Sequence, residues 1–155
     1  MNTGNRINIK QKDVNRAVTE TDHNVTVKVM LSLFDVPQST YADFDKEKRI
    51  MRLVFDYLGD DEPTVERPTD GAVSLLLGKF SERLYKVEIA LDELPQINAL
   101  TTNYDLVIDI VEKGMNHYKE KNPRIRSRSF EAVDRVLKQY SSELKPLVQR
   151  ALVAP

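Results

Sequence analysis

The chain has 155 residues, of which 41% are hydrophobic and 30% are charged, and it contains no cysteine. A chain of this length and composition can bury a hydrophobic interior, which predicts a globular protein. The lack of cysteine excludes disulfides, thiolate metal sites and cysteine nucleophiles. No apolar segment approaches the roughly 18 residues of a membrane span, and the first residues lack the apolar core of a signal peptide. We therefore expect a cytoplasmic protein that does not enter a membrane.

Charge is unevenly distributed along the chain, although the formal net charge is only -1. Residues 29–111 hold 8 basic and 16 acidic side chains, whereas residues 112–155 hold 10 basic and 5 acidic ones. An acidic middle and a basic end can pair with each other, or each can face a partner of its own. The sequence leaves both interpretations open.

The N-terminal part begins with a polar segment, residues 1–23, which predicts an arm or an edge strand ahead of one globular domain over residues 24–155. Residues 24–34 alternate apolar and polar side chains, as a strand with one buried face does, and Pro37 ends that strand. Over residues 39–58 the apolar side chains recur with helical spacing and predict an amphipathic helix. The second half of this segment also alternates, so a strand is the alternative there.

The middle of the chain is harder to assign. Residues 59–71 have the composition of an acidic loop. Apolar residues in the next segment fit both the helical and the strand period. We predict a helix over residues 72–83 followed by a strand over residues 84–91, with one long helix as the alternative.

Two clearer helices follow. The first should begin near Tyr104 and end near Asn122, where a proline follows. The second should run from about Phe130 to Leu144 and be kinked or restarted at Pro146. The sequence therefore predicts an α+β protein with a helix-rich C-terminal third.

An internal similarity indicates a tandem repeat. Residues 28–38 align without a gap with residues 86–96, and residues 53–58 resemble residues 106–111. Each copy would form a strand-helix-helix unit, and two such units could share one core because neither buries its apolar face alone. The predicted units span residues 24–83 and 84–145. Chance alignment of amphipathic segments is the alternative.

The sequence contains no recognisable catalytic, metal-binding or nucleotide-binding motif. His23 and His117 lie in no metal-ligand spacing, and none of the five glycines belongs to a phosphate-cradling loop. The acidic run at residues 60–62 lacks the alternating ligands of a calcium loop. We therefore expect no enzymatic activity, no cofactor and no metal.

The most distinctive polar stretch precedes the last predicted helix. Its basic and hydroxyl side chains are Lys119, Lys121, Arg124, Arg126, Ser127, Arg128 and Ser129. Guanidinium groups, hydroxyls and free backbone N–H groups at the start of a helix suit phosphate oxygens. The alternative is a solvated turn that pairs with the acidic middle.

Residues 126–133, with the sequence RSRSFEAV, resemble the start of the second helix in ribbon-helix-helix DNA-binding proteins of the MetJ/Arc superfamily. In that family a strand pairs with its twin and its outward side chains enter the major groove. The resemblance implies outward side chains at Thr26, Lys28, Met30, Ser32, Lys86, Glu88 and Ala90. It also implies phosphate contacts by Ser127, Arg128 and Ser129.

These observations predict a non-enzymatic nucleic-acid-binding protein, with duplex DNA as the expected partner and gene regulation as the expected role. The basic stretch would hold phosphates together with Lys28 and Lys86. The alternative is a structural or adaptor subunit of a larger protein assembly, in which the acidic middle and the basic end dock on complementary neighbours. A homo-oligomer is compatible with both.

Overall fold

The structure of the protein, a computed structural model, describes residues 6–10, 14, 18–22, 25–29, 31–59, 61–69, 71–93, 104–125 and 128–153. The strands in these ranges are β1 (Ile7–Asn8), β2 (Val18–Asp22), β3 (Val25–Val29), β4 (Ser39–Asp45), β5 (Ile50–Asp56), β6 (Thr64–Pro68), β7 (Val73–Gly78) and β8 (Leu84–Ala90). The helices are α1 (Tyr104–Lys121), α2 (Ser129–Gln139) and α3 (Ser141–Val153). The α+β class and the helix-rich C-terminal third are confirmed.

The central element is a six-stranded antiparallel sheet with the strand order β1-β4-β5-β8-β7-β6. Strands β2 and β3 pair only with each other, as a separate hairpin, within the described residues. The edge strand β1 has two residues, and the other edge strand, β6, carries Glu66, Arg67 and Pro68. A very short edge strand, or charges and proline on an edge strand, discourage hydrogen bonding to a strand of another chain. Both edges of the sheet are therefore protected from such pairing.

The helices pack on one face of the sheet, which we call the covered face. Strand residues from this face and apolar residues of all three helices belong to one buried cluster. The strands contribute Met51, Leu53, Phe55, Leu75, Val87 and Ile89, and the helices contribute Val107, Val111, Phe130, Val133, Leu137 and Leu144. Helix α1 approaches β7 so closely that a Cβ atom on Gly114 would lie 2.8 Å from Val73 Cγ1. No helix in the described ranges is long and apolar enough to cross a membrane.

We call the opposite side of the sheet the open face. The strand registers place Tyr41, Val54, Lys86 and Leu76 in one row across this face. The adjacent row contains Asp43, Arg52, Glu88 and Ser74. Val54 is buried, with 6% of its surface exposed, and the other side chains of these two rows are partly exposed.

The predicted helix over residues 39–58 is wrong, because the segment forms the hairpin of β4 and β5. The turn between the strands is held by the Asp45 carboxylate, which accepts hydrogen bonds from the backbone N–H groups of Glu47 and Lys48 at 3.1 Å each. Arg49 adopts a left-handed backbone with φ of 53°. The alternative of a strand in the second half is confirmed.

The predicted helix over residues 72–83 is also wrong, as is the alternative of one long helix. Strand β7 occupies residues 73–78, and alternate side chains of it face the core. The turn to β8 contains Glu82, whose φ is 63°. The strand predicted over residues 84–91 is confirmed by β8.

The two predicted repeat units do not share a structure. Residues 53–56 lie in β5, whereas the matching residues 106–109 lie in α1. In its described residues the first unit therefore lacks the α-helices that the strand-helix-helix prediction requires. In the second unit the described elements β8, α1 and α2 follow the predicted order.

The ends of the chain differ from prediction in smaller ways. Strand β3 ends at Val29, earlier than predicted, and β1 is an edge strand within the predicted arm. Helix α1 ends at Lys121, as expected. The next break falls at Tyr140 rather than Pro146, which lies inside α3. Tyr140 is fixed by a tertiary contact, because its hydroxyl accepts a hydrogen bond from the Lys10 backbone N–H at 2.8 Å.

Candidate functional site

The end of the sheet where β7 turns into β8 contains a buried arginine. Arg83 is only 7% exposed, and a buried guanidinium is tolerated only when its donors are satisfied. Its five N–H groups match five acceptors: Ser81 Oγ (3.2 Å), the carbonyl oxygens of Phe34 (3.2 Å) and Leu58 (3.1 Å), Glu62 Oε2 (3.4 Å) and Tyr85 Oη (2.7 Å). One side chain thus joins three segments that are distant in sequence.

Two tyrosines enclose this guanidinium. It lies over the ring of Tyr57, 4.9 Å from the centroid, and 5.5 Å from the centroid of Tyr85. The Tyr57 hydroxyl donates a hydrogen bond to the Leu84 carbonyl oxygen at 2.7 Å, and burial raises the pKa of Tyr57. The contacts of the guanidinium with the two rings stabilise its positive charge within the fold.

Glu62 completes the cluster as the anionic partner. Its Oε1 accepts hydrogen bonds from the backbone N–H groups of Phe80 and Ser81, at 2.9 Å each. Burial acts to raise the pKa of Glu62, but hydrogen bonds from Ser81, Phe80 and the Tyr85 hydroxyl outweigh it and lower the pKa to about 2. Gly78 leaves room for this carboxylate, because a Cβ there would overlap the Glu62 side chain.

The depressed pKa of Glu62 predicts an acid-sensitive contribution to folding. Because the folded pKa of about 2 lies below the ordinary value of about 4.3, the stabilisation is complete above about 4.3 and is lost as the pH falls towards 2. Glu62→Gln should therefore be less stable than the natural protein at neutral pH, and the difference should shrink through this window. Urea unfolding at a series of pH values measures it, and a difference that does not vary with pH would contradict the expectation.

Four exposed apolar side chains lie on the segments that the arginine cluster joins. Among the described residues, these are the large hydrophobic side chains that are more than a third exposed: Phe80 (73%), Phe34 (65%), Leu33 (49%) and Leu58 (36%). We call this set the apolar tip. Arg83 binds the carbonyl groups of two of them, and Glu62 binds the N–H of a third. The cluster therefore fixes the backbone that carries the tip.

Ser129 links the start of α2 to the same end of the sheet. Its side chain is fully buried, and its Oγ accepts a hydrogen bond from the backbone N–H of Leu84 at 2.9 Å. It is not available to a phosphate group, so the predicted contact by Ser129 is corrected to a structural role.

Ser129→Ala should cost about 1–3 kcal/mol of unfolding free energy, because the Leu84 N–H would be buried without an acceptor. Thermal unfolding measures the loss, and an unchanged stability would contradict the role.

The other predicted phosphate contacts near α2 lie in residues 119–128, which we call the basic turn; Lys119 and Lys121 belong to the last turn of α1. Lys121 and Arg124 are exposed, and Lys119 and Arg128 are partly buried. Arg126 and Ser127 lie outside the described residues. Within the described ranges neither Lys121 nor Arg124 forms an ion pair, so these two charges are not neutralised by the acidic middle there. Because Leu84 directly follows Arg83, the bond to Ser129 brings this turn to the tip end of the sheet.

The two predicted phosphate-binding lysines on strands, Lys28 and Lys86, are not part of the basic turn. Lys86 is on the open face, opposite to the face that α2 covers. Lys28 lies in β3, paired with Thr19, and its side chain is not described. Strand β8 is bonded to β5 on one side and β7 on the other, so it has no free edge for a twin strand.

A carboxyl pair bridges α1 and α2 beside a cavity of about 240 Å³. Burial and then a hydrogen bond with Glu112 raise the pKa of Asp134, whereas that bond and Lys138 lower the pKa of Glu112. Lys138 Nζ lies 2.7 Å from Glu112 Oε1 and 3.1 Å from Asp134 Oδ2. Of the two carboxyl groups, Asp134 is therefore the one that is protonated first as the pH falls.

This pair predicts a second pH effect. A carboxyl group whose pKa is raised on folding stabilises the protein at low pH and loses that contribution as the pH rises through the folded pKa. Asp134→Asn is neutral at every pH, so its stability relative to the natural protein should increase as the pH rises above the ordinary aspartate pKa of about 3.9. A relative stability that falls as the pH rises in urea titrations would contradict the raised pKa of Asp134.

Within the described residues no group of three or more histidine and carboxylate side chains is arranged to hold a metal ion. Comparisons of the chain with protein-family models, with curated proteins and with solved structures find no match. Three surfaces of this molecule bear on its function: the apolar tip, the basic turn and the open face.

Proposed function

We propose that the protein is a non-enzymatic structural or adaptor subunit that docks onto a neighbouring protein through the apolar tip. The observation that carries this proposal is the concentration of four exposed apolar side chains on three segments joined by Arg83. Scattered exposed apolar residues are ordinary, but a group of them on one surface is typical of an interaction site. Two of the four are phenylalanines, and aromatic side chains are enriched in protein interfaces.

The construction of the tip also supports docking. An interface loses affinity when its residues must be ordered on binding. Here the backbone of the tip is held in place by hydrogen bonds from a buried, fully bonded guanidinium. Association through a sheet edge is disfavoured, because β6 carries Pro68 and two charged residues. The backbone of the tip is therefore ordered before a partner binds, which lowers the entropic cost of contact there.

The proposal is tested on the full chain in the cells that naturally make it. Tagged natural protein, the Phe34→Ser/Phe80→Ser double variant and a Lys48→Ser control are isolated under native conditions and sized by gel filtration. Lys48 is exposed in the turn at the opposite end of the sheet. We expect the natural protein and the control to elute in a discrete complex of fixed stoichiometry, and the double variant to elute as a single chain.

Two results would overturn the docking role. One is a natural protein that elutes as a single chain in the same lysate. The other is a double variant that keeps the complex at full occupancy. Because both phenylalanines are exposed, their replacement should leave the unfolding temperature unchanged, and circular dichroism on the purified variants verifies this.

Nucleic-acid binding is the second candidate, supported by the two exposed cations of the basic turn, Lys121 and Arg124. The phosphate contacts would be made by the basic turn and not by the sheet. On the open face Asp43 and Glu88 are paired to Arg52, so this guanidinium is already occupied and the carboxylates repel phosphate. Fluorescence anisotropy on duplex DNA at low salt tests it. If both residues contact phosphate, Lys121→Ala/Arg124→Ala should reduce the slope of log affinity against log salt by roughly 2, and Lys46→Ala/Lys48→Ala should not. No binding at low salt would rule this candidate out.

A further inference from the structure

We propose that the N-terminal segment is a strap that controls the apolar tip. We define the strap as residues 6–10 and 14. While it is seated on α2, the half of the tip formed by Leu33 and Phe34 is held ready to dock, and release of the strap weakens docking. The inference rests on the proposed docking role of the tip and adds the regulation of that surface.

Helix α2 carries buried apolar side chains on more than one side. One set joins the buried cluster under the covered face, which we call the main cluster, through Phe130, Val133 and Leu137. Ala132 and Val136 lie outside that cluster, and both are 0% exposed. A helix that buries apolar residues on two sides needs a second element to cover it. The sheet covers one side of α2, so another segment must cover Ala132 and Val136.

The second side of α2 is covered by a separate and smaller group, which we call the strap cluster. Its buried members are Ile9, Val14, Leu31, Val36, Ala132 and Val136. The strap supplies Ile9 and Val14, whereas Leu31 and Val36 lie on either side of the single 3₁₀ turn Leu33–Asp35. The same cluster therefore seats the strap and fixes both ends of the short segment that presents half of the tip.

Polar contacts hold the strap on the helices and on the sheet. The Lys10 backbone N–H donates a hydrogen bond to the Tyr140 hydroxyl at 2.8 Å, and Arg135 Nη1 donates one to the Val14 carbonyl oxygen at 2.6 Å. On the sheet, β1 pairs with β4 over two residues. A segment held by a small cluster and a short strand can open locally while the main cluster stays folded.

The two halves of the tip differ in their relation to the strap. Leu58 and Phe80 have backbone hydrogen bonds to the arginine cluster, and in the described residues neither is flanked by members of the strap cluster. Phe34 also has its carbonyl oxygen bonded to Arg83, but the residues flanking its turn are buried in the strap cluster. Release of the strap should therefore loosen Leu33 and Phe34 and leave the other half in place.

Docking and seating of the strap are coupled through this segment. A partner that contacts both halves of the tip binds the seated state more tightly, because Leu33 and Phe34 are already ordered there. The apparent affinity falls in proportion to the fraction of molecules in which the strap is seated. The linkage is reciprocal, so docking also stabilises the seated strap.

Hydrogen–deuterium exchange of the purified full chain tests the coupling without a partner. The strap variant is Val14→Ala, and the control is Val148→Ala, the same substitution in the main cluster; the two valines are 0% and 1% exposed. We expect Val14→Ala to speed exchange in residues 31–36 about tenfold, because two buried methyl groups are lost from the strap cluster. Exchange in residues 78–83, around Phe80, should stay unchanged. Val148→Ala should not speed exchange in residues 31–36 selectively.

Tyr140→Phe is a milder second variant. It removes the hydroxyl that accepts the Lys10 N–H and keeps the ring, so it should produce a smaller acceleration with the same selectivity. If neither Val14→Ala nor Tyr140→Phe speeds exchange in residues 31–36, or if residues 78–83 respond equally, the strap proposal is overturned.

The effect on docking is measured by gel filtration of the complex from the natural cells. Val14→Asp places a charge in the strap cluster and should unseat the strap. Its complex should be less occupied than that of the natural protein, while circular dichroism shows that the main core is retained. Full occupancy of the Val14→Asp complex, with rapid exchange in residues 31–36, would overturn the regulation and leave the docking role intact. A natural protein that elutes as a single chain would overturn the docking role and its regulation together.

Discussion

Replacement of Arg83 by methionine should lower the free energy of unfolding by about 3–5 kcal/mol, because it removes one member of a buried ion pair and leaves the other without its cation. The Glu62 carboxylate would lose its positive neighbour, and the carbonyl groups of Phe34 and Leu58 would lose a shared donor. Urea unfolding followed by circular dichroism measures the change. Methionine keeps much of the volume, so the loss reports on hydrogen bonds and charge.

Arg49→Met is the matched control for this experiment. Arg49 also forms an ion pair, at 2.7 Å from Asp92 Oδ1, but the two side chains are 48% and 68% exposed. An exposed pair contributes at most about 1 kcal/mol. Equal losses for Arg83→Met and Arg49→Met would show that the arginine cluster does not hold the tip, and would remove the main support for the docking surface.

The second large effect is expected at Phe130, whose replacement by alanine should cost about 3–5 kcal/mol of unfolding free energy. Phe130 is 2% exposed, and its ring centroid lies 5.9 Å from that of Tyr118. The residue anchors the start of α2 against α1, directly beside the buried Ser129. A cavity at this position would therefore loosen the basic turn as well as the core.

Phe80→Ala provides the matched comparison, because it is the same substitution at a side chain that is 73% exposed. It should change the stability of the isolated chain by less than about 0.5 kcal/mol. Denaturant unfolding of the two variants under identical conditions makes the comparison. A loss at Phe80 as large as that at Phe130 would mean that the tip belongs to the folding core rather than to a contact surface.

The sequence predicted the class and the C-terminal helices but misassigned the two hairpins, for a physical reason. A hairpin is recognised by turn residues such as glycine, proline and asparagine. The turn after β4 is Lys-Glu-Lys-Arg, a run of good helix formers, with Arg49 in the left-handed position. The runs at residues 53–55 and 75–77 place apolar residues on both faces of a strand, which imitates helical spacing.

The candidate site was less predictable than the fold. Arg83 pairs with Glu62 and with carbonyl groups 25 and 49 residues away, and local periodicity carries no information about such contacts. Ser129 has the residue type of a phosphate-binding helix start, but its hydroxyl accepts a bond from a strand 45 residues earlier. The sequence did contain one signal of the apolar tip, which is the bulky Phe80 among the small and charged residues of segment 78–83.

Photo-crosslinking from the tip tests the docking role most directly. A benzophenone side chain is introduced at position 80, or at position 48 as the control, in the full chain within its natural cells, and the products are separated by mass after irradiation. We predict one discrete crosslinked species from position 80 and none from position 48, with a lower yield when Phe34→Ser is added. No discrete product from position 80, or the same product from both positions, would contradict docking through the apolar tip.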